Sequence, residues 1–267
     1  MEREWRSYDS AAATHDRLAV RYIFAAPAKD LVARVGLPAG ARILDVGTGT
    51  GVAALTALEF AGPRSVAVGI DPSLDMLRAA RRKGLSQAVR GLAPGLPFAE
   101  GIFDVVLANF VLAHFACYET ALRDLVRVLR PRGRLGITAW GSMESDPRKL
   151  WREVADSFVG KEALRSALAR ALPWEERFSD AAHLKEALEE AGLANIDIKN
   201  LEYPAVMTVA DFLSIREASL AARFMEQELD RAQWAQFKQT VASELHARFG
   251  DPIEDTREAY LAIGVKP

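Results

Sequence analysis

The chain has 267 residues, half of them apolar and 26% charged, with a formal net charge of −2 and one cysteine, Cys117. That length buries a substantial core in one large domain, or in a domain with a modest subdomain. The charge balance leaves no electrostatic footprint for nucleic acid or an anionic membrane surface. A lone cysteine excludes an internal disulfide, fits a reducing cytoplasm, and makes no zinc site with four scattered histidines.

Met1 to Arg6 is charged and lacks the apolar stretch of a signal peptide, and no run of about 18 apolar residues offers a membrane span. From residue 41 strand and helix patterns alternate, which predicts a parallel sheet covered by helices. Ala41–Val46 reads as a short strand ending in a glycine-rich turn, and Val52–Phe60 as the helix after it, stopped by Gly62-Pro63. Ser65–Ile70 is the next strand, closed by Asp71, with Pro72 suited to the first turn of a helix. Leu74, Leu77 and Arg81 follow at helical spacing up to Gly84, and Arg78, Arg81, Arg82 and Lys83 read as its solvated, dipole-favoured end. Ile102–Ala108 is a buried strand. A helix through Leu122, Leu125, Val126 and Leu129 ends before Pro131, and Arg134–Ala139 is another strand. Ser179–Ala191 is amphipathic and helical, and Asn195–Leu201 and Ala259–Val265 read as the sixth and seventh strands. Two mostly helical stretches, Ser142–Phe178 and Thr208–Arg248, interrupt this rhythm and carry aromatic residues from Trp151 to Phe237. They are expected either to pack onto the domain or to form a lid over the carboxyl ends of the strands.

The segment Ile43–Gly51, ILDVGTGTG, runs from a strand into Gly47-x-Gly49-x-Gly51 and then into a helix, so backbone N–H groups can approach a ligand closely. It is not a P-loop, because no Gly-Lys-Ser/Thr follows. It also departs from the dinucleotide pattern, because Val52 stands where a third close-packing glycine belongs. Asp71, twenty positions after Gly51 at the end of the next strand, can accept the hydroxyls of a ribose or serve as a plain helix cap.

With VGIDPSLDM at 68–76, GLAPGLPF at 91–98, FDVVLANFVLAHF at 103–115 and LRDLVRVLRPRGRL at 122–135, the chain resembles the class I S-adenosylmethionine-dependent methyltransferases. The likeness is to the small-molecule branch that includes ubiquinone and menaquinone biosynthesis methyltransferases, over most of residues 41–140. It implies a doubly wound, seven-stranded, mostly parallel α/β sheet whose last strand is antiparallel. It also implies S-adenosyl-L-methionine as cofactor, with S-adenosyl-L-homocysteine as product. In that family's terms Gly47, Gly49 and Gly51 shape the loop around the methionine moiety, Asp45 orients its amino group, Asp71 holds the ribose and Pro72 lies against the adenine. Asn109 presents its backbone to the methionine amine, and Phe110 lies near the sulfonium. At Leu92 the family commonly has a polar acceptor for the adenine N6 hydrogens. Leucine has none, so that recognition falls to the backbone of Leu92 and Ala93, at a cost of ~1 kcal/mol.

Methyl transfer is an in-line displacement that needs alignment and exclusion of water, and a base only when the nucleophile must lose a proton. His114 is the catalytic candidate, with a structural hydrogen bond as its other reading; His15 comes second. Trp5–Arg21 resembles the family's variable helix over the cofactor, so Tyr8 and His15 can face the site; His183 and His246 receive no role. The division expected is an N-terminal helical lid over 1–40, a cofactor-binding core over 41–141, insertions over 142–178 and 208–248, and the rest of the core in 179–207 and 249–267. The function expected is methyl transfer to a small-molecule acceptor at oxygen, nitrogen or carbon, by a cytoplasmic monomer or homodimer without nucleic acid, metal or membrane span. Two other classes stay open: a non-catalytic binder of the same cofactor, and a nicotinamide-dependent oxidoreductase, against which Val52, Ala108–Phe110 and Leu129–Leu135 count.

Overall fold

The computed structural model describes Trp5 and residues 7–9 and 11–267. Residues 1–4, 6 and 10, part of the expected N-terminal lid and of the Trp5–Arg21 helix, lie outside the described residues. An N-terminal rod opens the described chain: α1 (Ala12–Thr14), a π-helical stretch His15–Phe24, and α2 (Ala25–Val35), which Gly36 ends at φ 66°. Pro27 has no N–H for the turn before it, and the wider i→i+5 winding lies immediately upstream.

The elements then follow as β1 (Arg42–Val46), α3 (Val52–Ala61), β2 (Val66–Asp71), α4 (Leu74–Arg82), β3 (Gln87–Arg90), β4 (Phe103–Asn109), α5 (Tyr118–Val128) and β5 (Leu129–Trp140). Next come α6 (Asp146–Val159), α7 (Lys161–Ala171), α8 (Glu175–Phe178), α9 (Ala181–Glu190) and β6 (Ala194–Tyr203). The chain closes with β7 (Val206–Met207), α10 (Val209–Glu217), α11 (Leu220–Glu228), α12 (Arg231–Phe249), β8 (Ile253–Glu254) and β9 (Arg257–Val265). The seven-stranded sheet has the order β3-β2-β1-β4-β5-β9-β6. β9 runs antiparallel to both of its neighbours, and the other pairings are parallel. The sheet is thus doubly wound with one reversed strand, as expected.

Two details differ from the sequence reading. The four-residue β3, QAVR, is too short and too mixed to show a strand period. The strand expected over Arg134–Ala139 begins earlier, at Leu129, and Pro131-Arg132-Gly133 forms a kink within β5. There Arg132 sits at φ 65°, its N–H bonds to the Lys266 carbonyl at 2.8 Å, and the register against β4 slips.

Alternation along the central strands serves both faces. Ile43, Val105, Leu107 and Leu261 pack on α2, α3 and α4, while Leu44, Val106, Ala108 and Ala262 pack on α5 and α9. A third core has, among the described residues, no fully buried member from the seven strands of that sheet, and Trp140 at the end of β5 packs against its edge. Trp151 and Ala155 of α6, Leu164 of α7, Phe212 of α10, Phe224 of α11 and Phe237 of α12 pack together, with Leu18 and Ile23 of the π-helical stretch. The two helical stretches and the N-terminal rod therefore share one apolar interior above the sheet.

Candidate active site

β1 delivers Asp45 and then the glycine loop to the carboxyl edge of the sheet. Gly47 and Thr48 both donate to the Ile70 carbonyl, at 2.8 and 3.1 Å, which ties the loop to β2. Gly47 has φ 69°, and a Cβ there would lie 2.4 Å from Val111 Cγ2, so conformation and space both demand glycine. Gly49 turns its N–H to Asp71 Oδ2 at 2.9 Å, and Gly51, at φ 88°, starts α3 against Ala80.

Asp45 is buried below this loop. Its Oδ2 accepts from Thr48 Oγ1 (2.7 Å) and from the Ala54 N–H (3.0 Å), while Oδ1 is buried with no hydrogen-bond partner. Burial pushes this carboxyl up to about 7. A buried carboxylate oxygen without a donor is costly, so this position suits a ligand that brings one.

At the end of β2, Asp71 accepts from Gly49 and, through Oδ1, from the Ser73 N–H at 2.8 Å; burial raises its carboxyl. The Gly91 N–H bonds to the Asp71 carbonyl at 3.2 Å, which ties the segment leading into Leu92 and Ala93 to the end of β2. Leu92 is 59% exposed, Pro72 is exposed too, and Ala93 is buried. From the N-terminal segment, Asp9 accepts from Ser73 Oγ and the Asp75 N–H at the start of α4. Lys83 pairs with Asp16 and bonds Thr50 Oγ1 at 3.1 Å, so it clips the π-helical stretch to the glycine loop instead of only decorating a helix end.

Across the crevice, Asn109 ends β4 and its Oδ1 accepts from Thr138 Oγ1 at 2.7 Å. Phe110 follows at φ 55°, a rare conformation for a residue with a side chain. Its N–H is held by Thr138 Oγ1 at 2.8 Å, and its ring stacks on Trp140 with centroids 3.7 Å apart. Phe24 closes edge-on to Phe110 at 5.6 Å, and His15 stacks on Phe24 at 4.9 Å with Nδ1 buried and unpartnered. Burial lowers the His15 imidazole to about 4.

These features have counterparts in known proteins. Residues 44–137 match the family model described as a methyltransferase domain. A demethylmenaquinone methyltransferase of Thermus thermophilus is 48% identical over 99 residues, which cover 35% of this chain and 44% of that protein. The Lactococcus lactis enzyme of the same name is 30% identical over 178 residues, 61% of this chain and 70% of that protein. Among solved structures, the YcgJ protein of Bacillus subtilis superposes with a TM-score of 0.56 at 20% identity, covering 90% of this chain and 98% of that one, which shows the shared fold. The chain belongs to the class I S-adenosylmethionine-dependent methyltransferases.

The remaining wall of this methyltransferase's crevice comes from the helical layer. His114 stands in the 3₁₀ turn Leu112–His114, its ring edge-on to Tyr8 at 5.6 Å. Its residue surface is exposed, yet the groups packed around the imidazole desolvate it and lower it to about 4, helped by the Arg223 charge. Burial raises Tyr8 to about 12, with the Arg223 guanidinium 4.7 Å over its ring. Glu175 begins α8, which Trp174 ties to the Phe115 carbonyl at 2.8 Å; desolvation raises its carboxyl against the pull of Arg216.

The structure brings Asp45, Gly47, Gly49, Asp71, Asn109, Phe110 and His15 together at the carboxyl edge of the sheet, with His114 against Tyr8 and Tyr8 under Arg223, while Pro72 and Leu92 are exposed and Ala93 is buried. Gly51 stands one turn back, packed on α4. Sequence reasoning did not single out Phe24, Trp140, Glu175, Arg216 or Arg223. Trp140 ends a strand at the edge where such folds bind ligands, which was a usable signal. The others lie in helices without a motif.

Proposed function

We propose that this methyltransferase carries a methyl group from S-adenosyl-L-methionine to a small-molecule acceptor bound between the sheet edge and the helical layer, which serves as its lid. The observation that carries the reading is the orphaned, buried Oδ1 of Asp45 beneath a glycine loop that admits no Cβ at Gly47. In this reading Asp45 would hold the cofactor's amino group, Gly47, Gly49 and Gly51 its methionine chain, Asp71 its ribose, and Pro72 with Leu92 and Ala93 its adenine. Asn109, Phe110 and Tyr8 would line its methyl end. The chemistry supplied with the bound cofactor is an electrophilic methyl carbon on a positive sulfur.

The chain's own residues then align the acceptor and keep water out. Phe110, Trp140 and Phe24 offer an aromatic wall that favours a cationic neighbour and a flat acceptor. An imidazole lowered to about 4 is neutral near pH 7, so His114 would accept a hydrogen bond from the acceptor and be a weak base. The two relatives named for demethylmenaquinone support a small acceptor. No helix among the described residues is long and apolar enough to cross a membrane, and the finer expectation remains a cytoplasmic enzyme acting without nucleic acid.

Calorimetric titration with S-adenosylmethionine, S-adenosylhomocysteine and NAD tests the cofactor. Both adenosyl ligands should bind wild type, and Asp71→Ala should weaken them at least about tenfold, the effect of roughly 1.4 kcal/mol of lost hydrogen bonding. Binding of NAD alone, or of none, would sink the reading.

A further inference from the structure

The helical layer and the start of β9 beneath it hold more buried positive charge than they balance. Arg148 and Arg257 both pair with one fully buried carboxylate, Asp255, at 2.9 and 2.8 Å. Arg216, at the end of α10, adds a third guanidinium to this group; it lies 4.2 Å over the Trp151 ring, and its Nε is buried without a hydrogen-bond partner. Glu144 is bridged to Arg152 and reaches Arg216 through charge alone. Glu175 faces Arg216 through charge alone, with no hydrogen bond or ion pair between them among the described residues. Nearer the glycine loop, Arg223 spends Nη1 on the Ser7 carbonyl and leaves Nη2 buried and unpartnered over Tyr8. A buried cation without a partner is strongly unfavourable, and guanidinium is suited to planar oxyanions.

The placement supplies the function. Phe110 stacks on Trp140, and Arg257 lies 5.7 Å over the Trp140 ring, so the aromatic wall leads into the arginine group. On this basis, and resting on the methyltransferase reading above, we propose that the acceptor is a small organic oxyanion. Its carboxylate or phosphate docks on Arg216, with Arg223 as a second cation on the side of the glycine loop. Glu175 stands in for the ligand's charge when the site is free.

The test is calorimetry in the presence of saturating S-adenosylhomocysteine, with benzoate and phenyl phosphate against their neutral counterparts benzamide and phenol. Wild type should bind an anion at least about tenfold more tightly than its neutral counterpart, and the better of the two anions identifies the head group. Arg216→Met should erase that preference and Arg216→Lys should keep part of it. Glu175→Gln should tighten anion binding by removing a competing carboxylate, a gain that a purely structural arginine would not give. Equal binding of charged and neutral probes, or no anion binding, with S-adenosylhomocysteine still bound would overturn the acceptor class alone. Loss of S-adenosylhomocysteine binding in a folded Arg216→Met variant would assign the guanidinium to the cofactor and overturn it too. Failure of wild type to bind S-adenosylhomocysteine would remove the methyltransferase reading itself.

Discussion

The crevice has two walls made by different means. The sheet wall is drawn mainly from residues 45–110 and built largely from backbone: glycine N–H groups, strand ends and a non-glycine residue at φ 55° that Thr138 holds in place. The helical wall is drawn from segments spread between Tyr8 and Arg223, joined by Arg257 at the start of β9, and built from side chains, with arginines whose charges are only partly matched. A backbone-lined wall recognises what every member of a family binds, because it changes little when side chains change. A side-chain wall can be rewritten position by position, which is where acceptor choice belongs.

If the two walls are stabilised separately, the largest single loss should fall on one of them. Phe237 is buried in the helical core, stacked on Trp234 at 5.3 Å and edge-on to Trp151 and Phe158 at 5.6 Å. Phe237→Ala should cost about 3–5 kcal/mol of helical-layer stability through lost burial and the cavity left behind. Urea unfolding followed by tryptophan fluorescence reads that loss, since two of the ring's neighbours are tryptophans. S-adenosylhomocysteine affinity of the folded variant should change less than about threefold. A comparable loss of affinity would show that the two walls are one cooperative unit, and the comparison would break.

The same contrast explains what could be read in advance. Strand hydrophobicity, the glycine spacing and Asp71 are local patterns, and each marks a backbone geometry that few residues can satisfy. β3 escaped notice because four residues at a sheet edge need no continuous apolar run, and the kink in β5 because the Lys266 partner that holds it is 134 residues away along the chain, between 132 and 266. The π-helical winding of His15–Phe24 has no pattern of its own beyond Pro27 downstream. Glu175, Arg216 and Arg223 look like ordinary charged positions on amphipathic helices. Only the packing of α8, α10 and α11 over the sheet edge turns them inward.

On the sheet wall the sharpest substitution is Gly47→Ala. The methyl group would meet Val111 Cγ2 at 2.4 Å on a backbone at φ 69°. Strain and collision together should cost on the order of 2–3 kcal/mol, and should weaken S-adenosylhomocysteine about 30- to 100-fold by calorimetry. Gly84→Ala is the matched control. It has φ 104° but open space around the new methyl, so it should lose about 1 kcal/mol of stability and leave affinity unchanged. Equal effects on affinity would mean that Gly47 acts through general stability.

The smallest expected effect is the most specific, because it concerns one oxygen atom. Burial raises Asp45 from an ordinary 3.8 to about 7, so the folded, ligand-free chain binds a proton that the unfolded chain releases. Its contribution to stability is therefore full below about pH 3.8 and is lost as pH rises through 7. A cationic amino group beside Oδ1 reverses this preference, since it favours the ionised carboxylate and expels the proton. S-adenosylhomocysteine should accordingly bind more tightly as pH rises from 6 to 7, by up to about tenfold per unit, and level off by pH 8. Titration at pH 6 in two buffers of different ionisation enthalpy should show proton release on binding. Asp45→Asn should bind about tenfold more weakly at pH 8, roughly 1.4 kcal/mol, with no proton release and a flat profile across this window. A wild-type affinity independent of pH would mean that the unpartnered oxygen does not meet the amine, and the sheet wall would lose the observation that carries its cofactor reading.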